Sequence, residues 1–185
     1  YLAWVGGWPI LLLGATSLAA GWAYTGGPRP IAYTALGEVF VLAFFGLAAV
    51  CGTYWLQAGT VSPAAAVLGG LLGLPAAAVL TVNNHRDRET DARAGRRTLA
   101  IRLGRAGTIR LYAALLLAAF LLVPALTMLS GDDGALAALA ALPFAFALIQ
   151  RMRSEPAGPG LNGLLAQTAQ FQALLAALIV AGLLF

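Results

Sequence analysis

The amino-acid sequence predicts an all-α fold, a polytopic bundle of membrane-spanning helices, from three observations. Of 185 residues, 61% are apolar and 10% charged, about forty per cent of the charged share of an ordinary globular domain. The apolar residues come in runs rather than in an amphipathic rhythm, the pattern of helices that are greasy all round and face lipid. Of the eleven basic residues, all arginine, ten fall on alternate connections between those runs and the eleventh, Arg110, lies just past one of them.

Taken in order, the runs are Leu2–Ala23, Leu36–Leu56, Pro63–Val82, Ile109–Leu129, Ala135–Ile149 and Gly163–Phe185. Most match the roughly 17 to 25 residues that cross a bilayer. The fifth is short and must take in Gln150 to Met152, tilt little or thin the bilayer locally. Pro9, Pro75, Pro124 and Pro143 fall inside runs, which a membrane bundle tolerates because neighbouring groups re-satisfy the freed carbonyls. Gly69, Gly70 and Gly73 allow close helix contact. The whole of 1–185 reads as one transmembrane helical domain.

The arginine-bearing connections are Tyr24–Ala35 with Arg29, Asn83–Thr108 with seven arginines, and Arg151–Asn162 with two; Arg110 lies just past the large one. Gln57–Ser62 and Ser130–Gly134 carry none. By the positive-inside rule the arginine side is cytoplasmic, which places the protein in the cell membrane with 83–108 as a cytoplasmic loop. A pI near 9.8 suits anionic head groups and anionic substrates. Nucleic-acid binding wants aromatics interleaved with the charge, and none lies there. Cys51 sits in an apolar run and reads as a small buried hydrophobe.

Chemistry concentrates where the third run ends. If the helix continues past Val82, Asn83, Asp87 and Asp91 recur at four-residue spacing on one face, with Asn84 beside them. Two carboxylates one turn apart plus amide oxygens form a hard site suited to Mg²⁺ shared with substrate phosphates. Arg88, Arg96 and Arg97 can bind the outer phosphate oxygens in forked geometry. The bland alternative is a solvated, topology-setting loop. Polar side chains at the end of a membrane helix favour function, because they are costly near lipid. His85, the sole histidine, reads as an interfacial hydrogen-bonder, and one imidazole is no metal site. Asn162, Gln167, Gln170 and Gln172 read as interhelical hydrogen-bonders.

Asn84, the Asp87-x-x-x-Asp91 spacing and Gly95-Arg96-Arg97-Thr98-Leu99-Ala100-Ile101-Arg102-Leu103-Gly104 resemble the second aspartate-rich motif of the UbiA-type membrane prenyltransferases. Tyr24-Thr25-Gly26-Gly27-Pro28-Arg29-Pro30 through Gly37-Glu38, then Phe44-Phe45-Gly46 and Gly52-Thr53-Tyr54, are similar to the 1,4-dihydroxy-2-naphthoate polyprenyltransferase branch. Arg96 stands where that branch commonly has lysine, which keeps the charge. The resemblance implies about nine spanning helices, of which six are present, so the chain reads as the C-terminal two-thirds of a prenyltransferase. The first aspartate-rich motif would precede Tyr1, and the piece alone would be inactive.

The resemblance also implies a reaction: transfer of a polyprenyl group from a prenyl diphosphate to an aromatic acid acceptor, in menaquinone biosynthesis. Asp87 and Asp91 would be catalytic and, with Asn83, hold Mg²⁺. Asn84, Arg88, Arg96 and Arg97 would bind diphosphate, and Tyr24, Arg29 and Glu38 the acceptor. Tyr24, Tyr54, Trp55 and Phe45 are candidates to line a dry cavity, and membrane lipid would surround the rest. Two other readings compete. Half of a major-facilitator transporter has six helices, but the Asp91-to-Arg97 loop misses that motif by one residue. A non-catalytic scaffold could hold anionic lipid on the arginine loop. A different aromatic acceptor is the near alternative within the enzyme reading.

Overall fold

A computed structural model describes residues 1–184. Its elements are α1 (Leu2–Thr25), a 3-10 turn (Ile31–Tyr33), α2 (Gly37–Val41), a π-helical stretch (Leu42–Ala48), α3 (Ala49–Ala58), α4 (Pro63–Arg86), α5 (Arg88–Arg93), α6 (Leu99–Leu121), α7 (Val123–Ser130), a 3-10 stretch (Asp133–Ala141), α8 (Leu142–Ser154) and α9 (Leu161–Leu184). Among the described residues there is no strand. Six helical runs among the described residues are long and apolar enough to cross a membrane: Leu2–Thr25, Gly37–Ala58, Pro63–Arg86, Leu99–Ser130, Asp133–Ser154 and Leu161–Leu184.

Three of the expected prolines sit where helices bend or begin. Pro9 follows a break at Gly7, whose φ is 65°. Pro124 and Pro143 occupy the first turns of α7 and α8, where a missing N–H costs nothing because no carbonyl awaits it. Pro75 lies inside α4 without a break. The fifth span reaches Ser154, so it does include Gln150 to Met152. It starts with nine residues of 3-10 helix, which rise about 2.0 Å each against about 1.5 Å in an α-helix and add length. The fourth span starts at Leu99, ten residues before the apolar run. With α4 running to Arg86 and α5 inserted, the 83–108 connection is mostly helical.

The core joins α4, α6, α7, α8, α9 and the long 3-10 stretch through Leu71, Tyr112, Leu116, Phe120, Phe171 and their neighbours. Phe171 packs edge-on against Phe144 at 5.8 Å. The second span meets this core through small residues: a Cβ on Gly46 would lie 2.5 Å from the Gly69 carbonyl oxygen and 2.6 Å from the Gly73 Cα. Two of the three glycines thus permit the expected close contact, while Gly70 faces Leu122. At one end of the bundle the arginine-bearing connections converge. The Arg97 backbone N–H donates to the Tyr33 carbonyl at 2.7 Å, and Arg105 donates to the Arg153 carbonyl at 3.1 Å.

Candidate active site

Helix α4 is fixed at its start by Ser62, whose hydroxyl accepts from the Ala65 N–H at 3.1 Å, with Pro63 at the first helical position. Its far end delivers the polar residues. The helix closes at Asp87, and one further helical bond runs from the Asp91 N–H to the Asp87 carbonyl at 2.9 Å. Asn83, Asp87 and Asp91 therefore keep the four-residue rhythm across the junction of α4 and α5.

Gly95, with φ of 76°, turns the chain after α5, a conformation that favours glycine. The turn returns the Arg96 N–H to the Asp91 carbonyl at 3.0 Å and its guanidinium to the Asp91 carboxylate at 3.1 Å. The same guanidinium lies 4.6 Å from the centre of the Tyr33 ring, a cation–π contact. Asp91 is the more sheltered acid, its side chain 11% exposed against 35% for Asp87.

Asp87 has a different arginine. Arg86 donates from Nε at 2.8 Å and from a terminal nitrogen at 2.6 Å to the two carboxylate oxygens. It also donates to Asn83 Oδ1 at 2.8 Å and, from its other terminal nitrogen, to Asn162 Oδ1 on α9 at 2.8 Å. These donated bonds hold the Asp87 carboxyl below the ordinary aspartate range; partial burial opposes them, and the Arg86 and Arg96 charges add to the lowering.

Asn84 points elsewhere. Its amide donates at 3.0 Å to Oε1 of Glu38, which is 4% exposed, while Glu38 Oε2 is buried with no partner. The Tyr24 hydroxyl lies beside Gly37, 3.5 Å from where its Cβ would be. Adjacent helix positions differ by about 100°, so the two asparagines serve two sides: Asn83 faces Arg86 and Asn84 faces Glu38.

Two apolar hollows lie below these groups. One of about 370 Å³ is lined by Val41, Phe45, Val79, Asn83, Leu165 and Gln172, among others. The other, about 640 Å³, is lined by Tyr24, Phe40, Val41, Phe44 and Phe45, among others. Val41 and Phe45 belong to both.

The arrangement brings Asn83, Asn84, Asp87, Asp91, Arg96, Tyr24 and Glu38 to one rim. Arg88 is half-buried and, like the exposed Arg29, makes no ion pair among the described residues; the Arg97 side chain is exposed. Phe45 and Tyr24 line the hollows as expected, whereas Trp55 donates to the Gly6 carbonyl at 2.8 Å and lines a separate hollow with Trp4 and Trp8. His85 is not an interfacial hydrogen-bonder: it is fully buried and neither ring nitrogen has a partner among the described residues. Gln167 and Gln172 do bond across helices, to Arg151 and to the Leu72 carbonyl. Arg86 and Asn162 are the site residues that spacing alone did not single out. The signal for Arg86 is its place three residues after Asn83 and directly before Asp87.

The sequence pattern of the UbiA prenyltransferase family matches residues 1–160. The chain belongs to the UbiA prenyltransferase family. Among its UbiA-related proteins, a 1,4-dihydroxy-2-naphthoate octaprenyltransferase of Mycobacterium leprae is 39% identical over 159 residues, 86% of this chain and 53% of the relative. The Mycobacterium tuberculosis protein of the same description is 38% identical over 175 residues, 95% of this chain and 59% of the relative. A chicken (Gallus gallus) UbiA prenyltransferase domain-containing protein 1 is 35% identical over 167 residues, 90% and 48% of the two. The chain spans about half the length of these relatives. Membership in UbiA replaces the transporter reading.

The UbiA family implies a divalent metal, and the donors at this rim fit one. Asn83 Oδ1 and both Asp87 oxygens already converge on a single cationic group, the Arg86 guanidinium. No cluster of three or more His, Cys, Asp or Glu side chains forms among the described residues. Two carboxylates and an amide leave positions for phosphate oxygen and water, as Mg²⁺ prefers.

Proposed function

We propose that this protein transfers a polyprenyl group from a prenyl diphosphate to 1,4-dihydroxy-2-naphthoate, a step of menaquinone biosynthesis, with its site on the cytoplasmic side of the cell membrane. The observation that carries the reading is the rim itself: Asn83, Asp87 and Asp91 at the end of a membrane helix, above two apolar hollows. The likeness to the two mycobacterial 1,4-dihydroxy-2-naphthoate octaprenyltransferases supports the acceptor.

Asp87, Asp91 and Asn83 would hold Mg²⁺, with Arg88, Arg96 and Arg97 around the diphosphate, while Asn84, turned to Glu38, serves the acceptor side. When bound, the metal neutralises charge that builds on the departing diphosphate. Arg96 is held by Asp91 and Tyr33 in position to donate to outer phosphate oxygens, stabilisation that grows as the allylic C–O bond breaks. Diphosphate leaves with the bonding pair. The apolar hollow keeps water from the allylic cation, and the faces of Phe45, Phe44 and Tyr24 stabilise it.

The acceptor's hydroxyl gives its proton to the unpartnered oxygen of Glu38, which Asn84 orients. The ring carbon made more nucleophilic forms the new C–C bond, and its own proton returns to the oxygen as aromaticity is restored. Tyr24 positions the ring, and Arg29 meets the carboxylate from the exposed loop. A long prenyl tail explains the apolar hollows, since it can lie between helices while its head stays at the rim.

The test is product formation in membranes carrying the protein, fed Mg²⁺, a prenyl diphosphate and one aromatic acid. Prenylated naphthoate is expected, and omitting the metal should remove it. Product from 4-hydroxybenzoate with none from the naphthoate would move the proposal to another acceptor. Absence of any product with either acid would sink it.

A further inference from the structure

Arg86 stands in the position a divalent cation would take. Its guanidinium donates to Asn83 Oδ1 and to both oxygens of Asp87, three of the oxygens proposed above as metal ligands. Because the one guanidinium takes both Asp87 oxygens and the Asn83 oxygen at once, a small hard ion must compete with it for those oxygens at short range. The fourth bond reaches across the rim to Asn162, the second residue of α9. Helices α4 and α9 supply most of the wall of the hollow below, including Val79, Asn83, Leu165 and Gln172. The bridge from Arg86 to Asn162 thus joins the two walls above that hollow.

We infer that Arg86 is a resident counter-ion of the metal site, which a divalent cation must displace from Asp87 and Asn83, breaking the Asn162 tether between α4 and α9 as it enters. The inference rests on the proposed metal role of Asp87 and adds a residue to it. The guanidinium is permanently charged, so the exchange swaps one cation for another and needs no proton transfer. Without metal, Arg86 neutralises Asp87 and prevents a half-buried acid from facing the hollow unpaired. With metal and diphosphate, the freed guanidinium, one residue from Asp87, can join Arg96 on the anion. Metal and diphosphate should therefore bind cooperatively, since the anion gives the displaced arginine a new partner.

The test uses the purified protein in nanodiscs and the electron-paramagnetic signal of free Mn²⁺, first alone and then with inorganic pyrophosphate. Mn²⁺ alone should bind Arg86→Gln about tenfold more tightly than the unaltered protein, because one charge-assisted competitor is gone. Pyrophosphate should tighten Mn²⁺ binding to the unaltered protein and do so much less in Arg86→Gln. Arg86→Lys, which keeps the charge without the fork, should fall between the two.

A merely structural arginine would give the opposite sign, since losing it would disorder the ligands and weaken Mn²⁺. Equal or weaker binding to Arg86→Gln overturns the inference. Asn162→Ala removes only the tether on an exposed residue, and should tighten Mn²⁺ about twofold. If Arg86→Gln does not fold, Asn162→Ala decides, and no gain there overturns the inference. Asp87→Asn separates the two claims. Mn²⁺ binding that Asp87→Asn leaves unchanged sinks the metal reading and this inference together; binding lost in Asp87→Asn but indifferent to Arg86 and Asn162 sinks this inference alone.

Discussion

Helices α1 and α4 are both 24 residues long and both apolar, yet more than half of the most apolar stretch of α4 is buried and almost none of that of α1. Helix α4 touches α6, α7, α9 and the π stretch, whereas α1 rests on α3 and the short 3-10 turn. Both helices are rich in glycine and alanine, so the difference lies in the neighbours each one meets. Small residues let α4 approach its neighbours backbone to backbone, and in lipid such close packing takes the place of a hydrophobic drive. Along α1, Gly14 and Gly21 meet nothing within 4 Å, and Trp4, Trp8 and Trp22 are exposed. The candidate site lies where these regions join. The packed region supplies the fixed carboxylates and amides, and the open one supplies Tyr24, Tyr33 and Glu38.

The strongest way to break that contrast is to remove the acid on the packed side. Asp87→Ala should lower prenylated product by about 100-fold or more, the scale of losing a main transition-state contact, while the membrane-inserted amount stays unchanged. Near-normal turnover would detach the packed wall from the chemistry. Next in size is the packing difference. Phe171→Ala should destabilise the protein by about 3–5 kcal/mol, and Trp8→Ala by about 0.5 kcal/mol or less, read by detergent-induced unfolding in bicelles. Equal costs would mean that α1 is packed as tightly as α9.

The seam itself is tested by Gly46→Ala, whose Cβ would press on the backbone of Gly69 and Gly73. A cost of about 1–3 kcal/mol is expected, with a smaller loss for an alanine at Gly70, which has room. The smallest effect is on pH. Asp87 has a folded value below the ordinary 3.8, so the stability its pair contributes is fully present above that ordinary value. It is lost as pH falls through the folded value beneath it. Metal-free protein should keep its Tm down to about pH 4 and lose it below, and the acid limb should flatten in Asp87→Asn. Screening of a pair this exposed keeps the change modest.

Much of the site was legible because it is local. The third run ends in Asn83-Asn84 and carries Asp87 and Asp91 at helical spacing, and periodicity needs no tertiary contact. The Asp91–Arg96 pair was within reach of the same reasoning, since five residues and a glycine turn separate them. Arg86 is not legible in the same way, because regular spacing groups residues of like kind and leaves open which of several arginines turns inward. His85 was misplaced for a related reason: a residue at a helix end looks interfacial until a neighbouring helix covers it.

From the chain alone follow the six spans, the gathering of the arginines on or beside alternate connections, and the oxygen-rich helix end. Those depend on hydropathy, on helical repeat and on the cost of charge in lipid, all of which act along the sequence. Only the tertiary structure decided that Asn84 turns to Glu38, 46 residues away, and that Arg86 spans from Asp87 to Asn162, 76 residues away. Side chains one position apart on a helix point about 100° from each other, so their partners are set by which helices pack on either side.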